Sequence, residues 1–225
     1  MTRAAPSRWA VYWVPEAGHP LWSAGCAWLG RDPAAAETGV APPQRRAPWR
    51  YGFHATLKAP MWLRHGVTPE EFIAVVGRLA RGHVDFDMPP LQVAWLGGFL
   101  ALRPVTPVDE ADPLRRLADD CVVALDGFRQ PADPAEQAAR AAALHSDDER
   151  ALLERWGYAH VLSHWRLHLT LSDAVPEPAA ALQAAARAHF AQALTRPLRA
   201  RGVAVFEEPA PGLPLRLAAR LSLRD

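Results

Sequence analysis

Two stretches of this 225-residue chain constrain its fold more than any other. They are residues 51–59, Tyr-Gly-Phe-His-Ala-Thr-Leu-Lys-Ala, and residues 164–172, His-Trp-Arg-Leu-His-Leu-Thr-Leu-Ser. Each alternates polar and apolar side chains step by step, the period of a half-buried strand and not of a helix. Each also carries the same short motif, His54-Ala55-Thr56-Leu57 and His168-Leu169-Thr170-Leu171. At this chain's own residue frequencies, His-x-Thr-Leu should arise by chance on the order of a few hundredths of a time. One copy would be read as a solvated strand face. Two copies, each on an alternating stretch, point to a shared purpose.

The elements around the motifs also repeat. Residues 9–14 have the aromatic and β-branched content of a strand ending at Pro15, and residues 21–29 predict a short helix. Residues 31–49, rich in Pro, Ala and Arg and without periodicity, predict a surface loop that is a candidate lid. Pro60 should stop the first motif strand. A helix follows from Thr68-Pro69-Glu70-Glu71 to Gly82, and then a hairpin of residues 91–96 and 99–103 joined by Gly97-Gly98. Behind the second motif come a helix over about 178–194 and strands near 203–207 and 215–223, so motif strand, helix and two strands occur twice. Between them, Asp112-Pro113 opens a helix to about Asp126, and a helical region covers roughly 134–156 with a break near His145. This order predicts one bilobal domain, a divergent internal duplication. Lobe one spans roughly 9–105, a helical insertion 111–157 and lobe two 160–225.

In a strand, residues two apart share a face about 6.6 Å from each other, so a His and the Thr after it can both address one phosphate. Lys58, Arg166 and Ser172 lie on the same polar faces and are expected to contact the anion. Arg31, Arg45, Arg46 and Arg50 cluster before the first motif strand; from the lid, Arg31, Arg50 and Tyr51 could reach the substrate. A rival reading comes from His160, His164 and His168, whose spacing of four would align three metal ligands on a helix. The period-two run of Trp165, Leu167, Leu169 and Leu171 argues against that helix, so no metal is expected. His19, His65, His83, His145 and His189 are expected to be surface or capping residues.

The formal net charge of +1 supplies no basic field for tracking a nucleic-acid backbone, which favours a small phosphorylated substrate or one end of an RNA. Cys26 and Cys121 have no C-x-x-C spacing and suggest neither a zinc knuckle nor a disulfide framework. No apolar run approaches the roughly 18 residues of a spanning helix, so no membrane partner and a cytoplasmic location are expected. Walker, G-x-G-x-x-G, G-x-S-x-G and H-E-x-x-H patterns are absent, and no cofactor is expected.

Paired H-x-T strands in a duplicated α+β chain resemble the 2H (two-histidine) phosphoesterase superfamily. Trp28-Leu29-Gly30-Arg31-Asp32, residues 50–60 and Trp156-Gly157-Tyr158 resemble its clade associated with phosphonate-utilisation (carbon–phosphorus lyase) operons. The resemblance implies a bilobal pseudo-twofold fold, with two antiparallel sheets facing a central cleft where His54, Thr56, His168 and Thr170 meet and helices outside. It implies a metal-independent hydrolase, one histidine acting as base and the other as acid. A ribose cyclic phosphate from phosphonate breakdown is the expected substrate. The alternatives are an RNA or nucleotide 2′,3′-cyclic phosphodiesterase, a 2′-5′ ligase-like enzyme, and a noncatalytic phosphate or RNA-end binding module.

Overall fold

The computed structural model describes residues 7–36, 39–175 and 179–225, so the expected helix start at Pro178 lies outside the described residues. The protein is α+β, and every pair of named strands is antiparallel. At its centre is β1 (Arg8–Trp13), whose residues from Trp9 to Trp13 are all buried. On one side β1 pairs with β2 (Ala55–Trp62), which holds the first motif from Ala55 on, with His54 directly before it. On the other it pairs with β8 (Gly202–Glu208), and β9 (Arg216–Ser222) completes the sheet, in the order β2-β1-β8-β9. The second sheet is the predicted hairpin, β4 (Leu91–Leu96) and β5 (Phe99–Pro104), joined at its edge by β6 (Leu169–Thr170). A small pair, β3 (Phe86–Asp87) with β7 (Arg199–Ala200), stands apart.

This topology corrects the expectation of two contiguous lobes. The hairpin that follows the first motif completes the sheet of the second motif, and the strands that follow the second motif complete the sheet of the first. Each half of the chain leaves the edge of its motif strand's sheet unfilled, and the other half's strands fill it, burying backbone groups that would otherwise lack partners.

The helices follow their caps. α1 (Pro20–Leu29) starts at His19, whose Nδ1 accepts from the Leu21 amide, so this histidine is a capping residue as predicted. α3 (Pro69–Arg81) has a full capping box, Thr68 with Glu71, a feature typically worth about 1 kcal/mol. It buries Phe72, Val76 and Ala80 and packs on β9 and β8. α4 (Pro113–Leu125), expected as part of an insertion, instead belongs to the core. It buries Leu114, Leu117, Ala118, Cys121, Val122 and Leu125 and packs on β2. The appended part is the pair α5 (Pro134–Ala142) and α6 (Asp147–Trp156), split near His145 as predicted, with Leu153 its one buried residue. α7 (Ala180–Phe190) backs the second sheet through β4.

Pairing and alternation part company in the motif strands. β2 runs on through Pro60, against expectation, because it is an edge strand and its register with β1 shifts there, so no ladder hydrogen bond is demanded of the proline. In the second stretch only Leu169 and Thr170 are paired, to Leu102 and Ala101. Trp165, Leu167, Leu169 and Leu171 are nonetheless buried, with Arg166, His168 and Thr170 more accessible between them. Ser172, expected on the accessible face, is buried, so the alternation predicted burial as far as Leu171 and pairing only in part. Residues 162–164 form a single 3-10 turn, so the helix that would align His160, His164 and His168 is not formed.

Candidate active site

His54 and His168 face one cleft of about 240 Å³, which Thr56 and Thr170 also line. Both imidazoles are aimed by the same local device. Nδ1 of His54 donates to the carbonyl of Gly52, and Nδ1 of His168 to the carbonyl of Arg166, each two residues back and each at 2.8 Å. With Nδ1 engaged as donor, the neutral ring presents Nε2 as an acceptor. Nε2 of His54 receives the Thr56 hydroxyl at 3.2 Å. Gly52 reaches its position at φ 80°, ψ 174°, a conformation open essentially only to glycine, and a Cβ there would meet Pro33 at 3.1 Å.

Two tryptophans tie the halves together across the cleft. The Trp165 indole, three residues before the second histidine, donates to the Thr56 carbonyl at 2.8 Å. The Trp28 indole donates to the Leu171 carbonyl, also at 2.8 Å. Each motif strand is thereby held by an aromatic residue from the other half.

The other expected contacts fall elsewhere. Lys58 was expected beside Thr56, but the register of β2 against β1 shifts between them, so an extra residue enters the strand and reverses the side to which Lys58 points. Its ammonium is buried against α4, donating to the Val122 carbonyl at 3.0 Å and to Asp126 at 3.2 Å. Ala59 and Pro60 take the cleft side instead. The Ser172 hydroxyl is also structural, accepting from the Leu100 amide and donating to the Asp173 carbonyl. Arg31 is buried and donates to the carbonyls of Trp49, Arg50 and Leu215, so it fastens the 31–50 segment and does not reach over the cleft. Arg50 pairs with the buried Glu208, which also holds Arg8. The segment is further pinned where Arg45 lies 3.7 Å above the Trp28 ring and where Asp173 accepts from the amides of Arg46 and Ala47. A freely closing lid does not fit these ties. Arg166 stays near the site, exposed, lining the space beyond His168.

Tyr51, at the end of α2 (Arg46–Tyr51), does line the cleft, and so do Tyr12 and Tyr158. These are all three tyrosines of the chain, gathered at one site. Tyr12 and Tyr158 were not singled out from the sequence as contacts, although their rarity was a usable signal. The Tyr12 ring stacks on His54 at 3.7 Å, and its buried hydroxyl has no partner among the described residues.

Among the described residues, no Lys, Arg, Asp or Glu lines this central cleft. Burial pushes the His54 imidazolium down to about 4, against the Gly52 hydrogen bond, which favours it; the nearby His168 lowers it further. Burial also lowers His168, with smaller contributions from His160 and Arg103. Both rings are therefore neutral near pH 7, and an anion between them favours protonation of either.

The molecule is thus an α+β protein whose two interleaved halves bring a duplicated His-x-Thr pair into one uncharged cleft. Its family is shown by a match over residues 56–216 to the model described as a protein of unknown function (DUF1045), and the chain belongs to that family. It is also similar to the ribose 1,5-bisphosphate phosphokinase PhnN of Laribacter hongkongensis, 37% identical over 219 residues, 93% of this chain and 50% of that protein. The protein of the same name from Janthinobacterium sp. is 33% identical, over 92% of this chain and 49% of its own length. The chain spans about half the length of these curated relatives. Among solved structures it is similar to E. coli LigT complexed with phosphate, with a TM-score of 0.46, 13% identity, and coverage of 99% of this chain and 100% of that one. A crystal structure described as a phosphoesterase gives a TM-score of 0.45 with 15% identity, over 98% of this chain and 100% of that one. No helix among the described residues is long and apolar enough to cross a membrane.

Proposed function

We propose that this chain is a metal-independent phosphoesterase that opens a cyclic phosphodiester by paired-histidine acid–base catalysis. The observation that carries the reading is the pair of imidazoles facing one cleft, each with Nδ1 locked to a carbonyl and Nε2 left for chemistry. One imidazole takes a proton from water as the water oxygen bonds to phosphorus. The other, protonated, gives its proton to the ester oxygen as the P–O bond breaks, leaving a phosphomonoester and a free hydroxyl. Thr56 and Thr170, joined by the tyrosine hydroxyls, donate to the nonbridging oxygens. A phosphodiester carries a single negative charge, which neutral donors can hold without a Lys or Arg in the cleft. Two imidazoles and hydroxyls with no carboxylate or thiolate are also a poor set of ligands for a divalent cation.

The substrate proposed is a ribose cyclic phosphate of phosphonate metabolism. Support comes from the resemblance of the motif blocks and from relatives whose printed name concerns ribose 1,5-bisphosphate. This chain has no Walker pattern, so the phosphokinase chemistry in that name is not assigned to it. The test is incubation with a panel of ribose, nucleoside and RNA-terminal cyclic phosphates, with and without EDTA, followed by phosphorus NMR. Ring opening of the ribose ester that survives EDTA and is lost in the double variant His54→Ala/His168→Ala is expected. A ligand that binds and is recovered unchanged overturns the reading in favour of a binding module; joined ends point to a ligase.

A further inference from the structure

The central cleft is not closed. Past His168 it continues into a larger pocket of about 560 Å³, and Thr56, Tyr158, His168 and Thr170 stand in the walls of both, so the two spaces form one groove. Beyond Tyr51 and Pro60 lies a third space with a mainly apolar lining, which shares Tyr158 and His160 with the larger pocket. The two guanidinium groups in that third space are already paired, Arg8 with Glu208 and Arg140 with Glu136.

Charge is thus uneven along the groove. Among the described residues, the centre has no cation and the Arg8 end has none to spare. At the His168 end, Nη1 of Arg166 donates to the carbonyls of Ser163 at 2.9 Å and Trp165 at 2.7 Å, and no carboxylate pairs with this guanidinium among the described residues. Those two bonds hold it against the wall and leave its other N–H groups free to donate. The rings of His160 and His164 line the same pocket, and Nδ1 of His164 is buried with no partner among the described residues. The one carboxylate there among the described residues, Asp173, already accepts from the amides of Arg46 and Ala47. A phosphomonoester carries about −1.5 to −2 charge near neutral pH and has three strong acceptor oxygens, so it needs a cation and several donors where a diester does not.

We propose that the pocket beyond His168 is a second anion subsite, in which Arg166, with His160 and His164, takes the phosphomonoester end of a substrate whose phosphodiester lies between His54 and His168. The inference rests on the phosphodiester reading of the central cleft and deepens it. The substrate class becomes a small sugar phosphorylated twice, its cyclic ester at the centre and its terminal phosphate on the His168 side only.

Two measurements test it. The first compares kcat/KM for ribose 1,2-cyclic phosphate with and without a 5-phosphate, in the wild type, Arg166→Gln and Arg166→Glu. The wild type should prefer the phosphorylated substrate by about tenfold or more, the scale of one charge-assisted hydrogen bond. Arg166→Gln should bring that ratio close to one, and Arg166→Glu should turn it against the phosphorylated substrate. The second is calorimetric binding of ribose 5-phosphate, expected to weaken by about tenfold or more in Arg166→Gln. A preference that survives both substitutions, or ribose 5-phosphate binding that does not change, overturns the subsite and leaves the esterase reading standing. Binding that depends on Arg166 with no turnover of either cyclic ester keeps the subsite and sinks the esterase reading instead.

Discussion

The strand that begins just after His54 runs for eight residues in a sheet, while the strand just after His168 is paired over two, yet both imidazoles are aimed alike. What they share is local. Alternation puts His and Thr on one face, and a carbonyl two residues back takes Nδ1 and sets the tautomer. Their surroundings differ. His54 stacks on Tyr12 at 3.7 Å, whereas His168 meets Phe99 at 5.8 Å and a tilt of 53°. The backbone before His54 needs a glycine at φ 80°, and the position before His168 is served by Arg166. A duplicated motif therefore keeps its local geometry with little strand pairing, while the packing around the two rings is unequal.

Four experiments would break or sharpen this comparison. The largest effect is expected from His54→Ala and His168→Ala, each removing about 10² to 10⁴ of kcat, measured on whichever cyclic ester the panel identifies. Similar losses in both would support equal partnership; a loss in one alone would make the other copy structural. Next, Lys58→Met should destabilise the fold by about 1–3 kcal/mol in urea, because Asp126 loses a buried partner but keeps Arg129 and Arg155, while kcat stays within about twofold. A large loss of kcat at full stability would return Lys58 to the cleft. Gly52→Ala should cost about 1–3 kcal/mol through its positive φ and should lower kcat by turning the carbonyl away from His54. Crystallography of that variant would show whether Nδ1 has lost its acceptor.

The last test concerns pH. The His54 ring takes its proton near 4 in the folded protein, while in the unfolded chain it does so near 6.5. Between those values the unfolded state binds more protons, so this group's contribution to stability is complete above about 6.5 and is lost as pH falls through about 4. Urea midpoints across this window should decline toward acid, and His54→Gln should flatten the decline. The same pair predicts a bell-shaped kcat/KM profile with its maximum on the acid side of neutrality, because both free-enzyme rings titrate below their usual range.

Much of this was legible in the residues themselves. Caps at His19, Thr68, Asp112 and Ser146 begin helices through local hydrogen bonds, and alternation in 165–171 marked which side chains are buried although most of the stretch is unpaired. The two motifs were legible too, because His and Thr two apart share a face in any extended backbone. The fate of the cations was not. Lys58 turned inward because the register of one strand pair shifted, and Arg31 and Arg50 were taken up by carbonyls and a carboxylate distant in sequence. The exchange of hairpins between the halves was equally invisible, since a motif strand pairs as well with one hairpin as with another until the whole chain is packed. The sequence by itself determined the local directions of His54, Thr56, His168 and Thr170, because these follow from backbone periodicity. Only the tertiary structure decided that they share one cleft with all three tyrosines and, among the described residues, without a cation, because that depends on which distant groups satisfy each buried charge.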